Sequence, residues 1–370
     1  MAGLDYDLAV IGGGPAGSSA AITAARAGAR VLLAERGRLP RHKVCGEFVS
    51  PEAVGQLEVL LGEAHPFGDA PRISRARICI DEQVREAPID PPAFSITRYD
   101  LDAAFWLAAE AAGVDARQQF GIAAIHGAGP FTLATSGGEV KTRVVIDASG
   151  RWSNLAPQPN SKGVATSGRW IGLKRHYTEA APPDSVNLYF VDGGYCGVQA
   201  IGKDAINVCA LVHADSARNL QQLFSKHRAL WRRSREWEPL TEAVSTSPII
   251  FREPKPVRGG VLCVGDAAGF IDPFVGDGIS LALHSGALAT RSLVPFFEDR
   301  VSLSSAASTY QREYRRAFLP VFRNAARLRR VFSLPRAVRA PLLAALRSRH
   351  LAGWLVAGTR PRVKAANLQR

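Results

Sequence analysis

Apolar residues fall in two kinds of block along this chain. Continuous blocks occur at Leu8-Ala9-Val10-Ile11, Val31-Leu32-Leu33-Ala34, Val144-Val145-Ile146 and Val261-Leu262-Cys263-Val264. Such short apolar runs predict strands buried on both faces, as in a parallel sheet. Alternating blocks occur at 75–80, 170–177, 185–191, 196–201 and 205–212, separated by Gly, Pro and Asp turns. They predict half-buried strands of a mostly antiparallel sheet. Apolar spacing of three to four predicts helices at 51–61, 98–113, 217–230 and 279–293. Shorter strands are expected at 120–125 and 131–134, and Pro88, Pro91 and Pro92 are expected to break the strand-like stretch 73–96.

The first apolar strand runs into Gly12-x-Gly14-Pro15-Ala16-Gly17. Gly12 suits the tight turn, Gly14 a close backbone approach to a pyrophosphate, and Gly17 close helix-on-strand packing. Free amides and the helix dipole favour a phosphate there, and Pro15 in the first turn loses nothing by lacking an N–H. The second strand ends in Glu35, eighteen residues after Gly17. A carboxylate at that place is the acceptor that ribose hydroxyls need, and the combination predicts dinucleotide binding.

Composition narrows the class. A chain of 370 residues with 46% apolar and 21% charged residues suits a globular protein of two domains. Its five cysteines include no CxxC pair and its eight histidines no HxxxH or HExxH spacing, so free thiols and no metal site are expected. No secretory signal and no apolar run of membrane-spanning length is visible, and a cytoplasmic location is expected. The net charge of +13 is local: residues 311–370 hold fifteen Lys/Arg and one acid, Glu313, which leaves the rest near neutrality. Arginines interleave with apolar residues at 314–330 and 342–356, predicting helices. Their basic faces suit either solvent or the surface of an anionic membrane. No nucleic-acid recognition motif accompanies the charge.

Three separated segments share one pattern: Gly12-x-Gly14-x-x-Gly17 with Glu35, Asp147-Ala148-Ser149-Gly150, and Gly265-Asp266-Ala267-Ala268-Gly269 with Pro273 and Gly276-x-Gly278. Together they resemble the FAD-dependent oxidoreductases built like para-hydroxybenzoate hydroxylase, a class that includes aromatic hydroxylases, geranylgeranyl reductases and flavin halogenases. The resemblance spans about residues 5–320. It implies an α/β fold with a Rossmann-like FAD-binding domain (1–72, 98–159 and 255–300), an inserted β domain for substrate (73–97 and 160–254) and a basic helical region at 301–370. It also implies that Glu35 binds the adenosine ribose, that Gly12, Gly14, Pro15, Ala16 and Gly17 hold the pyrophosphate with Arg36 nearby, and that Arg98 lies near the phosphates or ribityl chain. Asp266 would accept from a ribityl hydroxyl, and Pro273, Gly276, Gly278 and Ile279 would pass the flavin's pyrimidine edge.

The run Lys43-x-Cys45-Gly46-Glu47 is similar to a motif of the geranylgeranyl reductase-like branch, which puts Cys45 and Gly46 at the flavin and makes Cys45 the candidate catalytic residue. Halogenases of this class carry Trp-x-Trp-x-Ile-Pro, whereas this chain has Tyr195-Cys196-Gly197-Val198-Gln199-Ala200. Tyr189, Tyr195 and Trp170 are the candidate substrate contacts. His42, His176 and His213 are acid–base groups by type, and none is assigned a role. The expected activity is a flavin monooxygenase acting on a hydrophobic aromatic, polyketide-like or isoprenoid substrate, with NAD(P)H as electron donor. The alternatives are reduction of isoprenoid-type C=C bonds and a non-redox lipid- or partner-binding role on the same fold. Peripheral membrane contact through the basic region is a further expectation, and oligomeric state is left open.

Overall fold

A computed structural model describes residues 3–62, 65–80, 82–151, 155 and 170–332. Its first sheet is built around β1 (Tyr6–Ile11), which pairs in parallel with β2 (Val31–Glu35) on one side and β9 (Gly138–Asp147) on the other. Beyond β2 lies β6 (Asp115–Gln118), and beyond β9 lies β16 (Val261–Cys263) with the short β15 (Val257–Arg258). The first part of β9 also pairs antiparallel with β8 (Phe131–Thr135), which carries β7 (Ile122–Gly127). The four continuous apolar runs are the strands of the parallel core, buried because helices cover them.

Helices α1 (Pro15–Arg26), α2 (Pro51–Leu61), α3 (Arg98–Ala111) and α6 (Gly278–Phe297) share one apolar core with these strands. Helix α1 meets α6 at very close range: a Cβ on Gly286 would lie 2.3 Å from the Ala16 carbonyl oxygen. The long α7 (Leu303–Phe332) adds Tyr310, Tyr314, Phe318, Val321 and Phe322 to the same core, so the start of the basic region is packed on the body. Arg312, Arg315, Arg316, Arg323, Arg327 and Arg330 of α7 are exposed. The helix expected at 342–356 lies outside the described residues, as do positions 152–154. No helix among the described residues is long and apolar enough to cross a membrane.

The second sheet has the order β14 (Val244–Ile249), β10 (Trp170–Thr178), β13 (Ala205–His213), β12 (Gly194–Ala200), β11 (Ser185–Val191), β4 (Arg72–Ile80), β5 (Gln83–Ser95) and β3 (Phe48–Val49). All pairs are antiparallel except β11 with β4. Its outer face packs Tyr177, Tyr189, Cys196 and Val208 against two short helices, α4 (Leu220–Phe224) and α5 (Arg228–Ser234).

Two expectations need correcting. The helix at 217–230 is two helices, because Asn219 caps the first and His227 caps the second, each side chain accepting a backbone N–H of its own helix. Pro88, Pro91 and Pro92 do not break the strand: β5 runs through all three. Its second neighbour, β3, pairs only at Phe94 and Ser95, so the prolines occupy a stretch of edge that needs no second row of donors.

Two opposing effects meet at Gly286. Replacing a mid-helix glycine by alanine ordinarily stabilises by about 1 kcal/mol, whereas forcing a methyl into a packed backbone contact costs about 1–3 kcal/mol. The 2.3 Å approach to a carbonyl makes the second term larger. Gly286→Ala is therefore expected to lower stability by about 1–2 kcal/mol in denaturant titrations, and a stabilised variant would contradict the packing described here.

Candidate functional site

Register brings the three motif segments to one edge. Ile11 pairs with Asp147, and Asp147 with Cys263, so the residues that follow each strand emerge side by side at the carboxyl ends of the sheet. Ligands of open parallel sheets bind at that edge. The glycine loop is pressed against the second segment: a Cβ on Gly12 would lie 2.4 Å from the Ala148 carbonyl oxygen. Glu35, buried at the end of β2, accepts from the Gly13 amide at 3.0 Å and the Gly37 amide at 2.8 Å, with Arg41 at 3.1 Å. It thus closes the loop on itself while its carboxylate stays at the end of the pyrophosphate-binding turn. Pro15, Ala16 and Gly17 form the buried first turn of α1, and Arg36 is exposed beside Gly121.

Arg98 opens α3, and its guanidinium grips the fully buried Asp102 through Nε and Nη2, both at 2.9 Å. Lys43 reaches the same carboxylate at 3.1 Å. Burial opposes the Arg98 charge, but Asp102 outweighs it and holds the guanidinium protonated beyond the usual range. Burial, with Arg98 nearby, lowers the Lys43 ammonium. The Arg98 guanidinium also contacts Cys45 and lies 3.8 Å from where a Gly14 Cβ would sit. Arg98, Cys45 and the glycine loop are therefore neighbours.

Asp266 follows β16 in the same region, where burial raises its carboxyl and the charges of Arg151 and Arg98 pull it back only in part. No hydrogen bond to its side chain occurs among the described residues. Arg151 donates to Thr246 at 2.7 Å and lies over the Phe270 ring at 4.7 Å. A carboxylate in this position lacks the hydroxyl donor that a ribityl chain supplies. Cβ atoms placed on Gly46 and Gly278 would enter open space. Between them Pro273 and Gly276, the latter left-handed at φ 73°, form a turn leading into Gly278 and Ile279 of α6. An acidic group for ribose, open amides for a pyrophosphate, and a second acid flanked by arginines fit FAD along this edge.

The strand period decides what the second sheet offers. On β10, β13 and β12 the pairs Lys174–Cys209, Gly197–Cys209 and Tyr195–Leu211 put Lys174, Cys209, Gly197, Tyr195 and Leu211 on one face. Tyr195 donates to Asp272 at 3.5 Å and packs on Phe190 and Phe274, and burial beside Asp272 raises its phenol far above the usual value. Trp170 meets His213 and Phe251 edge-on, and Phe251 continues to Phe270. Tyr189 is not brought to this face. It points to the opposite side, packs on His227, and accepts from Arg233 at 3.0 Å. Phe190, one residue on, shares the face of Tyr195. Cys45 is half-buried, accepts from the Glu47 amide at 3.3 Å, and neighbours Cys209, whose thiol burial pushes up to about 12.

One cluster was not singled out from the sequence. Glu47, fully buried, accepts from Lys174 Nζ at 2.5 Å and shares 2.7 Å with His176 Nε2; Lys174 itself has no exposed surface. Burial alone would raise the Glu47 carboxyl, but the His176 contact and the Lys174 charge overcome it and hold it below the usual carboxylate range. His42 stacks on Tyr99, meets His176 edge-on at 4.7 Å and shares 3.3 Å with Thr241. Lys174 and His176 sit two apart in an alternating strand, the spacing that puts both on one face; nothing local marks Glu47 as their partner.

His42 gives a pH signature. Burial first, then the charges of Lys174 and His176, lower its pKa from 6.5 to about 4. Folded His42 stays neutral while the unfolded chain takes up a proton, so its contribution is complete above pH 6.5 and is lost as pH falls towards 4. His42→Phe, which keeps a ring on Tyr99, should flatten the fall in melting temperature across that interval. An unchanged slope would contradict this environment.

Comparison with known proteins gives this geometry a lineage. Residues 6–214 match the family described as pyridine nucleotide-disulphide oxidoreductase. The chain is 27% identical over 356 residues to a tryptophan 2-halogenase of Chondromyces crocatus, covering 84% of this chain and 65% of that protein, just under two thirds of its length. It is 25% identical over 351 residues to digeranylgeranylglycerophospholipid reductase 2 of Methanopyrus kandleri, covering 89% and 87%. Among solved structures, a triple mutant of the flavin-dependent brominase Bmp2 superposes with a TM-score of 0.79 at 20% identity, over 98% of this chain and 97% of that one, which is a likeness of fold. The chain belongs to the pyridine nucleotide-disulphide oxidoreductase family, and is similar to a tryptophan 2-halogenase and to a digeranylgeranylglycerophospholipid reductase.

Proposed function

We propose that the protein is a flavin monooxygenase acting on a hydrophobic, electron-rich substrate of aromatic or polyketide-like type, with NAD(P)H as reductant. The observation that carries this reading is the aromatic wall beside the Asp266–Gly278 stretch. Phe190, Tyr195 and Phe274 pack on one another with ring centroids 5.5–5.9 Å apart, and Trp170, Phe251 and Phe270 form a second run of ring contacts. Such walls hold apolar ligands by area and orient rings by their edges.

When bound, FAD supplies the electron transfer, and the chain's own residues supply binding, orientation and exclusion of water. Arg98 and Arg151 would offset the charge of phosphates and of a reduced flavin, and Asp266 would fix a ribityl hydroxyl. The start of α6 would direct its free amides at the ring's pyrimidine edge. Tyr195, held by its hydrogen bond to Asp272, would present its ring at the end of the aromatic wall.

A second reading, reduction of an isoprenoid-type C=C bond, is favoured by one feature: the Cys45 thiol sits beside Arg98 in the Lys43-x-Cys45-Gly46-Glu47 run. The hydrophobic substrate and the exposed arginines of α7 also support peripheral contact with an anionic membrane surface.

Anaerobic photoreduction of the holoprotein, followed by mixing with candidate substrates, separates the two reactions. Oxygenation predicts no turnover until O₂ is admitted, then a product containing one oxygen atom from O₂. Flavin reoxidation by an alkene without O₂ would overturn the proposal in favour of the reductase. The reductant is read in the same apparatus from the rate of flavin bleaching by NADH and by NADPH.

A further inference from the structure

Two of the chain crossings between the sheets run close together. One is the segment from Lys43 to β3; the other is the link from β5 to α3. Glu47 is where they meet. Its carbonyl oxygen accepts from Ile96 N at 3.0 Å, and its Oε1 accepts from Arg98 N at 2.8 Å. The same carboxylate reaches across to Lys174 and His176 on β10. Its backbone is left-handed at φ 56°, a conformation that a non-glycine residue holds only where its surroundings enforce it.

The residues just before it are held from the other side. Asn207 on β13 donates from Nδ2 to the Cys45 carbonyl at 3.1 Å and to the Gly46 carbonyl at 2.8 Å. The Cys45–Gly46 turn is thus suspended between an amide clamp and a buried carboxylate, both anchored on the second sheet. We propose that Glu47 is the positioning residue of the Cys45–Gly46 turn, and that its contacts with Lys174 and His176 fix this turn against the FAD site. The inference rests on the FAD-binding reading of the site.

Charge arithmetic makes the proposal testable. Removing one member of a buried ion pair leaves the other uncompensated, while removing both together is close to neutral for stability. A cluster that served stability alone would therefore be silent in Glu47→Gln/Lys174→Met. A positioning residue would not be, because the amide that replaces the carboxylate no longer pulls the turn towards β10.

The measurements are the alkylation rate of Cys45 by iodoacetamide, followed on its peptide by mass spectrometry in cofactor-free protein, and the Kd for FAD with the visible spectrum of the bound flavin. Glu47→Gln and the double variant are expected to label Cys45 about tenfold faster than the natural protein, to bind FAD about tenfold more weakly and to alter the shape of the flavin band. Glu86→Gln, which removes an exposed ion pair with Arg77, is the control and should change none of these. If Glu47→Gln does not fold, the double variant carries the test. A folded variant that labels Cys45 at the natural rate and keeps the natural FAD affinity overturns the proposal. A natural protein that binds no FAD would instead sink the functional reading, while the labelling rates still decide the role of Glu47.

Discussion

A carboxylate with no exposed surface is costly unless its partners supply what water would have given. Glu47 has four: a lysine ammonium, an imidazole and a helix-terminal amide on its side chain, and the Ile96 amide on its carbonyl. Two of them lie on β10, one opens α3 and one belongs to the crossing from β5 to α3. The two sheets are separate hydrogen-bonded systems with mostly separate cores, and at this point the Glu47 contacts and the Asn207 clamp tie one to the other. The charge contact does so where the cofactor edge and the aromatic wall must face each other.

From that junction the electrostatics of the site follow. Arg98 is fixed twice, by Glu47 through its backbone and by Asp102 through its fork, so its charge stands in one place beside the glycine loop and Cys45. Arg151 and Arg98 flank Asp266, whose burial penalty they only partly offset. Positive charge is thus concentrated where a dinucleotide brings phosphates and where a reduced flavin brings its own negative charge. The aromatic wall borders that concentration, with Arg151 over the Phe270 ring and Arg329 over the Phe251 ring.

The parallel sheet was legible because its strands are unbroken apolar runs, and the cofactor edge because Gly12, Gly17, Asp147, Asp266 and Gly276 carry backbone or charge requirements that few other residues meet. The second sheet was legible from alternation. What failed were features set by neighbours. Pro88, Pro91 and Pro92 look like breaks until β5 is known to be bordered by so short a strand as β3. The helix at 217–230 looked continuous because its spacing is helical throughout, and the caps at Asn219 and His227 divide it. Tyr189 lies on the face opposite Tyr195, and strand period makes a one-residue difference complete rather than small. Glu47 was out of reach because its side-chain partners Lys174 and His176 are more than 120 residues away.

The central claim is that one FAD lies along the carboxyl edge of the first sheet, from Glu35 to Gly278, beneath the aromatic wall of the second. A crystal structure of the flavin-loaded protein tests it most directly. The account predicts the pyrophosphate on the amides that follow Gly13, a ribityl hydroxyl on the Asp266 carboxylate, and the isoalloxazine between the Cys45–Gly46 turn and the Pro273–Gly278 turn. An FAD bound elsewhere, or a ring facing Tyr189 instead of Tyr195, would contradict it.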